Sequence, residues 1–173
     1  MIPLEPAGEA DHLDIVALTN RAYRHTGPGA GWAVETFVEG ERLTAELLRK
    51  DLVEKPKAQL LAWRSAEGEL QGHVWLEPAQ DELWYLGLLT VRPDRQDRKL
   101  GRTLLAAAED FARQRGARRM QMVVVNVRDT LIAWYERRGY VLTGETRPFP
   151  YGDDRFGRPL RDDLCFVVLE RAL

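Results

Sequence analysis

The chain has 173 residues, with 25 Lys and Arg against 27 Asp and Glu, a net charge of −2 and 45% apolar residues. That length fits a single domain, residues 1–173. The apolar share excludes a disordered chain, and the near-neutral charge gives no bulk reason to bind nucleic acid. No apolar stretch reaches the roughly 20 residues needed to cross a bilayer, and MIPLEPAGEADH lacks the charged and apolar regions of a signal peptide. No membrane partner is therefore expected, and a cytoplasmic location is. Cys165 is the only cysteine, so no intrachain disulfide can form, and its place in CFVVL suggests a buried, inert thiol.

In chain order, IPLEPA reads as a short strand and Asp11–Tyr23 as a helix with an acidic cap. HTGPGAG is a loop, and Thr44 caps a second helix, AELLRKDL. AQLLAWR, LQGHVWLEP and ELWYLGLLTV are strands separated by turn signals, an antiparallel meander. Gly87 inside the third of them suggests a bulge or a close backbone approach. A helix from about Leu100 buries Leu104, Ala108 and Phe111 along one stripe and ends at Gly116. RRMQMVVVNV is then a buried strand, parallel to its predecessor through a right-handed crossover. A helix over 129–138, the strand YVLTGE, an irregular loop PFPYGDDRFGRP and a last strand DLCFVVLER complete the chain. The fold class is α/β (α+β): a mixed, mostly antiparallel sheet with one parallel pair and helices on both faces.

The run VRPDRQDRKLG at 91–101 carries the chemistry. A strand ends, an arginine-rich turn follows and a helix begins, which aims backbone N–H groups and a helix N-terminus at one spot. Phosphate groups favour such spots. No His, Cys or Asp cluster has metal-ligand spacing, so no metal is expected.

This element order, the turn at 91–101 and the segment LIAWYERRGY resemble the GNAT superfamily of acetyl-CoA-dependent N-acetyltransferases, and GW at 31–32, FVEGERLT and PFPYGDDRFG resemble a bacterial subgroup of it. The resemblance covers nearly the whole chain. It implies acetyl-CoA or coenzyme A as cofactor, with the pantetheine arm beside Leu89, Thr90 and Val91, where the parallel strands splay. It also implies a pyrophosphate held by the turn Gln96, Asp97, Arg98, Lys99, Leu100, Gly101 and by Arg102. The family pattern is Q/R-x-x-G-x-G/A, and Lys99 stands where the middle glycine belongs. Lysine serves there only if its backbone angle is one an L-residue tolerates and its side chain turns outward. It then either offers an ammonium to phosphate or crowds the site.

Spacing alone makes Tyr135 a core aromatic. The resemblance implies instead that it protonates the departing thiolate. Arg128 stands where many members carry asparagine, open to a phosphate, a substrate acid or plain solvation, and Asn126 lies two residues off that spacing. Tyr85 aligns with a glutamate base of histone-type members and is a poor base at pH 7, because its reference pKa is about 10. Glu35, Glu77, Glu82 or a water relay stand as alternatives. His73, mid-strand, reads as structural. The acceptor pocket implied by the family would draw on Tyr23, Trp32, Glu35, Tyr85 and Tyr151, with Asp153, Asp154 and Arg155 nearby; its carboxylates would suit a cationic amine. The expected function is acetyl transfer from acetyl-CoA to a primary amine of a small molecule or peptide. The alternatives are a catalytically weak acyl-CoA-binding or sensing module and an N-terminal protein acetyltransferase. A homodimer is compatible with all three.

Overall fold

The structure, a computed structural model, describes residues 2–31 and 33–173, and of residues 96–98 the backbone only. The elements run β1 (Glu5–Pro6), a 3-10 turn (Glu9–Asp11), α1 (His12–Arg24), β2 (Val38–Glu39), α2 (Ala45–Glu54), β3 (Gln59–Arg64), β4 (Leu70–Pro78) and β5 (Leu83–Val91). A second 3-10 segment (Pro93–Arg98) leads into α3 (Leu100–Arg113), followed by β6 (Arg119–Val125), α4 (Asp129–Glu136), β7 (Val141–Pro148), β8 (Arg158–Pro159) and β9 (Cys165–Ala172). Seven strands form one sheet in the order β1-β3-β4-β5-β6-β9-β7, antiparallel except for the β5–β6 pair.

Local chemistry sets these boundaries. The Thr44 hydroxyl accepts from the Leu47 N–H at 3.1 Å, capping α2, an interaction worth about 1 kcal/mol. The β4–β5 hairpin turns on Asp81 and Glu82, both at positive φ (55° and 57°), as the twist of a tight hairpin requires. α3 and α4 are followed by Gly116 and Gly139 at φ 92° and 87°, a region that glycine enters without strain.

Strand alternation divides the core. Leu61, Val74, Leu76, Trp84 and Leu86 face α3 and α4 and pack with Leu104, Leu105, Ala108, Tyr135 and Tyr140. Leu60 and Trp75 face the other way, joining Ile15 of α1 and Leu48 of α2. The expected helices on both faces are therefore present.

Two features position the site. The β5–β6 ladder holds only where Leu83, Trp84 and Tyr85 meet Arg119, Met120 and Gln121. Beyond it β6 stays with β9 as far as Val125, and β5 stays with β4, so a wedge opens between them. Inside the wedge β5 carries one extra residue against β4, between the Trp75–Gly87 and His73–Thr90 pairs, and Leu88 takes φ 47°. The bulge anticipated around Gly87 thus has its left-handed residue one position on.

The second feature was absent from the sequence reading. β2 and β8 form a two-stranded sheet of their own, Val38 opposite Pro159 and Glu39 opposite Arg158. It ties the segment before α2 to the late loop. Gly157 makes the approach possible: at φ 97°, a Cβ there would lie 2.2 Å from the Glu39 carbonyl oxygen.

Candidate active site

The wedge opens into a cavity of about 270 Å³ on the α1–α2 side of the sheet. A smaller space of about 30 Å³ lies at its far end, lined by Thr90, Val91 and Gly101. Tyr23, Arg128, Leu131, Leu89 and Tyr135 line both, so these side chains stand where the two compartments meet.

Tyr135 is 5% exposed. Trp134 and Tyr140 hold its ring edge-on, at centroid distances of 4.9 and 5.6 Å. Burial pushes its phenol well above the usual tyrosine range, with Tyr23 adding to the rise and Arg128 opposing it. The group therefore stays neutral and keeps its proton.

The turn before α3 meets the conditions that lysine faced. Lys99 is exposed and takes φ 59°, ψ 22°, the left-handed well that L-residues enter at a cost of roughly 1–2 kcal/mol. The first amides of α3 have no acceptor within the helix, as at any helix N-terminus. A Cβ at Gly101 would make only ordinary contact with Trp134, at 3.6 Å, so packing within the protein does not demand the missing side chain. The side chains of Gln96, Asp97 and Arg98 lie outside the described residues, as does Trp32. Around the turn, Arg92 pairs with Asp94 at 2.7 Å and with Glu69, and Arg95 donates to Gln71 Oε1 at 2.9 Å. These arginines fasten the turn to β4.

Other candidates fall in different places. Glu35 lines the cavity but is 8% exposed and held on both oxygens: Arg24 donates to Oε2 at 2.8 Å and Arg128 to Oε1 at 3.1 Å. Arg128 also donates to the Ala33 carbonyl at 2.9 Å. Arg128, open in sequence to a phosphate, a substrate acid or solvent, is thus an internal clamp, and sequence reasoning missed the pair. Glu77 accepts from Lys55 at 2.8 Å and from the Trp75 indole at 3.4 Å. Glu82 sits in the β4–β5 turn, at the closed end of the wedge and away from the cavity.

Tyr85 lines the cavity, and burial raises its phenol despite the nearby Arg42 and Arg147. Gly87 makes room for that ring, since a Cβ there would lie 3.1 Å from its edge. Tyr151 does not line the cavity. Its hydroxyl donates to the Arg161 carbonyl and accepts from the Leu164 N–H, both at 2.8 Å, so it pins the late loop. The members of that loop that reach the cavity are Phe149, Arg155 and Phe156.

Asn126 is a strand-end tie, bonded to the Asp163 carbonyl and to the Cys165 N–H at 3.0 Å each. Cys165 is only half-buried, because it opens β9 at the mouth of the sheet. His73 is fully buried, its Nε2 2.9 Å from the Thr19 hydroxyl, and burial pushes its pKa down to about 3. Among the described residues, no helix is long and apolar enough to cross a membrane.

The family model of the acetyltransferase (GNAT) family matches residues 20–140, well over half of the chain and all of the wedge. The chain belongs to the GNAT family.

Relatives of this GNAT chain include a probable N-acetyltransferase camello of Xenopus tropicalis, 29% identical over 120 residues, which are 64% of this chain and 54% of that protein. A mycothiol acetyltransferase of Clavibacter sepedonicus is 38% identical over 85 residues, 48% of this chain and 27% of that protein. The chain thus matches about half the length of the first relative and about a quarter of the second. Among solved structures, the Escherichia coli ribosomal-protein-S18-alanine N-acetyltransferase superposes with a TM-score of 0.69 at 17% identity, covering 99% of this chain and 94% of that one. PaiA N-acetyltransferase of Thermoplasma acidophilum, solved in complex with coenzyme A, gives 0.66 at 17% identity, covering 100% and 99%. These likenesses establish the GNAT fold.

Proposed function

We propose that this GNAT chain transfers an acetyl group from acetyl-CoA to a primary amine of a small molecule or peptide, directly and within a ternary complex. The observation that carries this reading is the position of Tyr135, a neutral buried phenol at the junction of the two compartments created by the β5–β6 wedge.

When bound, acetyl-CoA supplies an acetyl group already activated as a thioester. The open edge of β5 at Leu89, Thr90 and Val91 offers backbone groups to the amides of the pantetheine arm, because β6 has left them. The backbone of 96–102 and the first turn of α3 receive the pyrophosphate, with Gly101 leaving room for close approach and the Lys99 side chain turned to solvent. At the bulge, backbone N–H groups near Leu89 polarise the acetyl carbonyl. Tyr135 Oη holds the proton that the sulfur needs as the C–S bond breaks. Both compartments meet at this residue, so acceptor and donor are aligned before reaction rather than by collision.

Among the described residues, no carboxylate in the cavity is free to act as base: Glu35 and Asp51 are each tied to arginine. The amine therefore enters neutral and gives up its second proton to cavity water.

Acetyl-CoA-dependent thiol release, measured against a panel of amines beside thermal-shift titration with coenzyme A, tests this reading. Stabilisation by coenzyme A together with thiol release that depends on an amine is expected. Absence of both at millimolar ligand removes it.

A further inference from the structure

Charge along the acceptor cavity does not balance. Among the described residues its lining includes the cations Arg42, Lys55, Arg128 and Arg155 and the carboxylates Glu35 and Asp51. Three of the four cations are accounted for. Arg128 pairs with Glu35 at 3.1 Å, Arg155 with Asp51 at 2.6 Å and Lys55 with Glu77 at 2.8 Å. Glu35 is moreover shared with Arg24 at 2.8 Å, which leaves that trio with a net positive charge.

Arg42 has no carboxylate within ion-pair distance among the described residues. Its guanidinium carbon lies 4.7 Å from the Phe156 ring centroid and 5.5 Å from that of Tyr23. Two aromatic faces thus hold the planar fork in place beside the cavity that Arg42 lines. The Phe156 ring also lies 5.0 Å from the guanidinium of Arg155, whose Nε is buried without an acceptor among the described residues. Two half-buried guanidiniums therefore flank one ring with a single carboxylate between them, an excess of cationic donors that favours an anion.

We propose that the acceptor is a primary amine that also carries a carboxylate, with the carboxylate bound by Arg42 at the α1–α2 end of the cavity and the amine directed to Tyr135. The proposal rests on the acetyl-transfer reading and deepens it. It also reverses the cationic-amine expectation, because Glu35 is already paired with two arginines and Asp153 and Asp154 are not among the residues that line the cavity. A planar carboxylate accepts two parallel N–H bonds from a guanidinium, which fixes the distance and direction of the amine at its other end. The same chemistry is presented by a free amino acid and by an acidic residue of a peptide.

The test compares matched trios: free L-amino acids, their carboxamides and the corresponding decarboxylated amines, with acidic dipeptides as a fourth arm. Thiol release is read for the wild type, Arg42→Gln and Arg42→Lys. Binding of N-acetyl amino acids and of their neutral amides is measured by thermal shift in the presence of coenzyme A.

The wild type should prefer a carboxylated amine by about tenfold to a hundredfold in kcat/KM, the range expected of a charge-assisted hydrogen-bonded pair. Arg42→Gln should erase that preference through KM, Arg42→Lys should keep part of it, and coenzyme A stabilisation should persist in both. Preference for the dipeptides over the free acids assigns the carboxylate to a peptide. Equal or better use of the carboxamides and decarboxylated amines by the wild type overturns the proposal. So does an unchanged preference in Arg42→Gln, or failure of every N-acetyl amino acid to stabilise a protein that still responds to coenzyme A. Loss of the coenzyme A response itself counts instead against the acetyl-transfer reading.

Discussion

Glu35 and Arg128, 93 positions apart in the sequence, meet at 3.1 Å where the two compartments join, with side chains only 8% and 10% exposed. Arg24 of α1 completes the group at 2.8 Å. The loop after α1 is thereby fastened to the start of α4, the helix that carries Tyr135. Glu35→Gln leaves two buried guanidiniums short of their counter-charge, a change that typically costs about 3–5 kcal/mol. Urea unfolding should show the midpoint falling with the slope unchanged. A variant of near-native stability that had lost turnover would instead point to a catalytic base at Glu35.

Tyr135→Phe should retain coenzyme A binding within about twofold and lower kcat roughly a hundredfold, the low end of what a positioned proton donor contributes. Because burial holds the phenol above its ordinary range, no alkaline loss of activity should appear near pH 10 from this residue. The rate should climb with pH until the acceptor amine is neutral and then level off. A pH profile of kcat/KM for both proteins checks this.

Lys99 pays for its left-handed backbone, so Lys99→Gly should leave stability equal or raise it by up to about 1 kcal/mol, while Lys99→Val should cost about 1–2 kcal/mol because a β-branched side chain resists that well. With its side chain in solvent, the glycine variant should keep coenzyme A affinity within about threefold at physiological salt. Paired thermal unfolding and titration decide both points.

His73 predicts an acid-sensitive fold. Its folded pKa is about 3 against an ordinary value of 6.5, so below pH 6.5 the unfolded chain takes up a proton that the folded one refuses. Stability is therefore fully present above pH 6.5 and falls by about 1.4 kcal/mol per pH unit as the pH drops below it. His73→Gln should flatten this slope in urea midpoints measured between pH 7 and 4.5.

Gly157→Ala places a Cβ against the Glu39 carbonyl at a backbone angle unsuited to alanine. Loss of about 1–3 kcal/mol is expected. Cleavage within the late loop should also accelerate in limited proteolysis, since the β2–β8 contact anchors it.

The sheet was legible because its strands carry their signal locally: runs bounded by turn signals in β3 and β4, near-continuous apolarity in β5 and the end of β6, and glycines after α3 and α4. The wedge was legible only through family resemblance, since no residue announces that Leu83–Tyr85 pair with β6 and Leu86 onward do not. Leu88 gave no sign of its positive φ, because leucine has no left-handed preference; the neighbouring Gly87 drew attention for a different reason, the space taken by Tyr85. The β2–β8 pairing involves two residues on each side, too few to show a period. The ties of Arg128 and Tyr151 were illegible for a shared reason: each is committed to partners distant in sequence, Glu35 and Leu164 among them, and spacing along the chain carries no record of such pairs.

The two-rung ladder joining Val38–Glu39 to Arg158–Pro159 has a consequence for descent. These segments, which border the cavity, are joined to each other by this small tie and share no rung with β5, β6 or the turn before α3. Under the acetyl-transfer reading, those segments tolerate lengthening, shortening or rewriting without disturbing the ladder and turn proposed for the thioester end. A change of acceptor would then be a matter of exchanging an outer wall rather than rebuilding the sheet.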